Sequence, residues 1–158
     1  MGRSRLPGAR WRTAALWCAA LTAGAAVSAI LLWPSPVDRP VYGDVLKALA
    51  WLQDRGLPVW VSYNAVERLA NVALFVVPGL VASLLLPRRQ WWLALVLCLG
   101  FSAVMELAQL FLPARSASGD DILLNGTGAL IGVGIGSAFR ALAATVRRNG
   151  RRRSRALI

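Results

Sequence analysis

The chain reads as an all-α, polytopic membrane protein: a four-transmembrane-helix bundle with a short amphipathic interfacial helix between helices one and two. Three observations predict this. The 158 residues are 57% hydrophobic with mean hydropathy +0.55, yet carry a formal charge of +11. Apolar runs of the length that crosses a bilayer, about 20 residues, recur along the chain. Clusters of proline or arginine separate them. A nucleic-acid binder of this charge would not be so apolar, and blocks of arginine beside apolar runs suit anionic lipid better than a DNA-binding face.

Residues 1–12 hold Arg3, Arg5, Arg10 and Arg12 and no acid, and residues 13–33 form the first apolar run. Trp11, Trp17 and Trp33 fall where interfacial aromatics sit. A cleavable signal peptide over residues 1–29 is the competing reading, because Val27-Ser28-Ala29 has the small-residue pattern of a cleavage site. The apolar run continues through Ile30, Leu31 and Leu32, which favours a retained helix.

Pro34, Pro36 and Pro40 end that helix and open an extracytoplasmic loop over residues 34–66. Within it Val45, Leu46, Leu49 and Leu52 recur at helical spacing opposite Lys47, Gln53 and Asp54, which predicts the amphipathic helix. Helix two follows over residues 67–86, with Pro78 inside it. Pro87, Arg88, Arg89 and Gln90 make a basic turn. Helix three spans residues 91–112 and helix four residues 121–144. A basic tail over residues 145–158 closes the chain.

Charge fixes an expected orientation. If the N-terminus is cytoplasmic, thirteen basic residues fall in inner segments: Arg3, Arg5, Arg10, Arg12, Arg88, Arg89, Arg140, Arg147, Arg148, Arg151, Arg152, Arg153 and Arg155. Arg39, Lys47, Arg55, Arg68 and Arg115 are outer, and none of the seven acids is inner. The positive-inside rule then places both termini of a multi-pass protein in the cytoplasm.

The candidate site is a layer of polar residues in otherwise apolar sequence. Glu106 sits among Leu107, Leu110 and Phe111, and an ionisable group in a membrane helix marks a candidate functional position whose partner must be named. Arg115 is the expected partner. By the rise of about 1.5 Å per residue, Asn71, Glu106 and Asn125 all lie within about 10 Å of the outer boundary. Ser102, Glu106 and Gln109 share one helical stripe, Asp121, Asn125, Gly128 and Gly132 a second, and Glu67, Asn71 and Pro78 a third. Such stripes turn inward, since amides and acids facing lipid lack partners. Gly128, Gly132 and Gly136 form a small-residue ladder that admits close backbone approach. Individually, Asn71, Gln109 and Asn125 also read as interhelical glue.

The chain has no histidine, which removes the commonest general base and metal ligand. Cys18 and Cys98 lie in different apolar runs and read as buried hydrophobes. No metal, cofactor or nucleic acid is implied, and Asp120 with Asp121 is a weak metal signal.

Asn71 with Phe75 and Gly79, then Glu106-x-x-Gln109-x-x-x-Pro113-x-Arg115, then Asp121-Ile-Leu-Leu-Asn125-x-x-Gly128, resemble the VanZ-like family of small bacterial membrane proteins over residues 64–137. Here the helix-two proline stands at Pro78, one place from the family's Phe-x-Pro-x-Gly, and Ser118 stands where members often carry an aspartate. The archetype is linked to low-level resistance to the glycopeptide teicoplanin. The resemblance implies a protein of the bacterial cytoplasmic membrane and cell envelope, and the polar layer adds the expectation of an outward pocket that binds a lipid headgroup, a lipid-linked wall precursor or a lipophilic glycopeptide. Asn71, Glu106, Gln109, Arg115, Asp120, Asp121 and Asn125 are its candidate ligand-binding residues. Two other expectations differ in kind: an intramembrane enzyme with Glu106 as general base, and a non-catalytic structural or assembly partner.

Overall fold

A computed structural model describes residues 7–34, 39–112 and 119–156. Five α-helices run in order: α1 (Pro7–Leu31), α2 (Tyr42–Gln53), α3 (Tyr63–Leu85), α4 (Trp91–Gln109) and α5 (Gly119–Ala156). A 3-10 turn, Arg39–Val41, leads into α2, and another, Arg88–Gln90, into α4. Four helices, α1, α3, α4 and α5, are long and apolar enough to cross a membrane.

Their surfaces agree with that reading. All seven tryptophans (Trp11, Trp17, Trp33, Trp51, Trp60, Trp91 and Trp92) are exposed, as are mid-helix residues such as Leu21, Val77, Val96, Leu130, Ile131 and Ile135. In water such a surface would aggregate; in a bilayer it faces acyl chains, with indoles at the interfaces. The protein is therefore a multi-pass membrane protein with a thin core, in which Val27, Leu31, Phe75, Cys98 and Ala129 form one buried cluster.

The spans alternate in direction, so the bundle has two chemically distinct ends. Arg12, Arg88, Arg89 and Arg140 gather at one, called here the basic end. Asp44, Asp54, Glu67, Asp120 and Asp121 gather at the other, the acidic end, which α2 caps. There Tyr42 meets Tyr63 edge-on at 4.6 Å and Gln53 Nε2 donates to the Val61 carbonyl at 3.1 Å, which ties α2 to the start of α3.

The most intimate pair is α3 with α5; α4 packs on α5, and α1 packs on α3 and lightly on α4. Without water to drive helices together in lipid, close van der Waals approach must do so. The glycine ladder supplies it. Gly128 lies against the Val72 carbonyl, Gly132 against Val76 and Leu80, and Gly136 against Ser83, while Gly79 of α3 lies against Ala129 of α5.

Several boundaries differ from those read in the sequence. α3 begins at Tyr63, inside the segment assigned to the loop, because Asn64, Ala65 and Val66 continue the helix without a breaker. α4 stops at Gln109, where Leu110 and Phe111 form a turn ahead of Pro113. α5 runs to Ala156 rather than to about residue 144, since the basic stretch is rich in arginine, a strong helix former, and holds no proline.

Candidate functional site

One buried stripe organises α4. Ala94, Cys98, Ser102, Glu106 and Gln109 recur every three or four residues and are all buried, whereas Val104 and Leu107 between them, and Leu110 just beyond, are exposed. The polar groups turn toward neighbouring helices, where hydrogen-bond partners exist, and the leucines turn to lipid.

Facing this stripe from α5 is Asn125, only 2% exposed. Its Nδ2 donates to Ser102 Oγ at 2.8 Å, and its Oδ1 is buried with no hydrogen-bond partner. As an acceptor left without a donor inside the bundle, that oxygen costs about 1–3 kcal/mol. Glu106, 8% exposed, lies one helical turn beyond Ser102 on the same stripe.

Gln109, at the end of the stripe, serves α1. Its Nε2 donates at 2.8 Å to the carbonyl of Leu31, the last residue of α1, where a helix has carbonyls without internal partners. Replacing Gln109 with leucine should therefore loosen α1 at this end and lower stability by about 1 kcal/mol. Denaturant unfolding in detergent reads the loss, and an unchanged midpoint would show the bond to be dispensable.

A second polar group joins α3 to α5 nearer the surface. Asn71 Nδ2 donates to Asp121 Oδ1 at 3.0 Å, and Arg68 lies 3.6 Å from Asp120 Oδ2. The Arg68–Asp120 pair is mostly exposed and adds at most about 1 kcal/mol. Both aspartates occupy the first turn of α5, where the helix dipole favours negative charge.

The structure thus joins Asn71 to Asp121 and sets Asn125 against the Glu106 stripe through Ser102, while Asp120 pairs with Arg68 and Gln109 with α1. Arg115, with Pro113 and Ser118, lies outside the described residues. Glu67, expected on an inward stripe with Asn71, is exposed; it sits near the start of α3, where its carboxylate keeps its hydration. Three contributors lie outside the candidate set. Ser102 was signalled by its place one turn before Glu106, whereas Arg68 and the Leu31 carbonyl carry no periodic signal. Among the described residues no three of Cys, Asp and Glu gather closely enough to hold a metal ion.

A family model described as VanZ/LLP1 matches residues 25–140. The chain belongs to the VanZ/LLP1 family. Among curated proteins and among solved structures, no match was found. The VanZ/LLP1 match takes in the last two turns of α1 as well as α2, so it reaches well before residues 64–137, on which the resemblance rests. Every polar pair described above falls inside it.

Proposed function

We propose that this VanZ/LLP1 family protein binds a lipid-linked molecule at the acidic end of its bundle, through a headgroup rich in hydrogen-bond donors. The observation that carries the reading is the buried, unpaired amide oxygen of Asn125 facing the stripe that holds Glu106. A buried acceptor beside a carboxylate suits hydroxyl or ammonium groups better than a bare anion. Lipid headgroups, lipid-linked wall precursors and lipophilic glycopeptides all offer such donors. Asn71, Gln109, Asp120 and Asp121 frame the site, and Arg115 supplies a cation for a phosphate linkage.

Native mass spectrometry of gently solubilised protein tests this. A co-purifying lipid-linked species should accompany the wild type and be lost from Glu106→Gln and Arg115→Ala proteins that insert at normal levels. Equal retention by both variants would sink the reading. If the species is a wall precursor or its glycopeptide ligand, the same substitutions should also change teicoplanin sensitivity of the host.

The reading places the acidic end outside and both termini in the cytoplasm, as the distribution of arginine favours. A cysteine introduced at Val59, which is 81% exposed in the loop before α3, should then react in intact cells with an impermeant maleimide. One introduced at Gln90 should react only after lysis. The opposite pattern would invert the bundle. An enzymatic reading is favoured by one feature, the Ser102 hydroxyl a turn from Glu106; turnover of a lipid-linked substrate by purified protein, lost in Glu106→Gln, would decide for it.

A further inference from the structure

A cleft of about 270 Å³ opens between α1, α3 and α4 in the half of the bundle nearer the basic end. Its walls are Trp17, Ala20 and Gly24 of α1, Pro78, Ala82, Leu85 and Leu86 on the α3 side, and Leu97, Cys98 and Phe101 of α4. Small residues hollow it out: Ala20, Gly24 and Ala82 all line it, and a Cβ placed on Gly24 would meet nothing within 4 Å. From Pro78 to Leu86 the cleft follows two turns of helix, about 12 Å along the membrane normal.

At the basic end of the cleft the chemistry changes. Arg140 Nη1 donates at 2.8 Å to the carbonyl of Leu86, a wall residue. Arg88 follows Leu86 by two residues, so both arginines attach at the same end of α3. Among the described residues neither has a carboxylate within ion-pair distance. Two guanidiniums without a carboxylate partner at one end of an apolar slot match an anionic phosphate carried on acyl chains.

We propose that this cleft holds an acyl chain of an anionic phospholipid from the leaflet at the basic end, with the phosphate on Arg88 and Arg140. The site is separate from the polar one at the acidic end. Its arginines serve charge and its α1 and α3 walls serve fit, so the two contributions separate by substitution.

Protein exchanged into phosphatidylcholine nanodiscs containing a minor share of phosphatidylglycerol, then released for native mass spectrometry, should retain phosphatidylglycerol preferentially. Arg88→Gln, in an exposed turn, should weaken retention about fivefold, the effect of one basic group at a lipid surface. Ala82→Phe and Gly24→Leu, which fill the cleft from opposite walls, should each abolish it while leaving both arginines in place. Glu106→Gln should leave it unchanged, so this proposal and the acidic-end reading fail independently. Equal retention of the two lipids, wild-type retention in both cleft-filling variants, or a dimer in which a second copy covers Trp17 would overturn it.

Discussion

Replacing Gly132 with leucine should part α3 from α5 and lower stability by about 3 kcal/mol or more, the upper range for forcing bulk into a packed interface. A Cβ at this position would lie 2.6 Å from the Leu80 backbone nitrogen and closer still to the Val76 carbonyl oxygen. Backbone cannot rotate aside as a side chain can, so the helices must separate, and the close contacts above and below are lost with them. Gly134 is the matched control. It lies on the same helix two residues on, and a Cβ there meets nothing within 4 Å, so Gly134→Leu should be neutral or slightly stabilising. Unfolding of both variants in detergent would separate the cases. Equal midpoints would mean that the α3–α5 interface is not what holds the bundle.

Removing the Ser102 hydroxyl should also destabilise, while removing both partners should not. In Ser102→Ala the Asn125 amide loses its single described bond and both of its polar ends become buried orphans, which costs about 1–3 kcal/mol. The double change Ser102→Ala with Asn125→Leu replaces the pair by apolar groups of similar combined size. It should recover the loss and can exceed wild-type stability, because the unsatisfied oxygen goes too. Under the proposed function that stabilised protein should nonetheless lose its co-purifying ligand. A double variant that is both more stable and fully ligand-loaded would leave the orphaned amide without a functional role.

The spans were legible because hydropathy and length act over twenty residues at a time and tolerate local error. The inward stripe of α4 was legible for a related reason: Ser102, Glu106 and Gln109 obey helical spacing, and lipid leaves such groups only one direction to face. What sequence spacing does not encode is which neighbour a stripe meets. Asn125 and Asp121 lie one turn apart on α5, yet the first reaches α4 and the second α3, because α5 packs against both. The carbonyl of Leu31 as an acceptor is a fact of backbone position, invisible in residue types. Glu67 shows the limit of periodicity: near a helix end, water competes with the interior for a carboxylate, and depth overrides face.

Trp17, Ala20 and Gly24, the α1 wall of the cleft, all precede residue 25, where the VanZ/LLP1 match begins. The polar pairs and the glycine ladder lie wholly within the matched stretch. A chimera carrying an unrelated apolar helix in place of residues 7–24 should therefore keep every one of those contacts and lose only the α1 wall of the slot, so that phosphatidylglycerol retention falls while the rest of the bundle stays assembled.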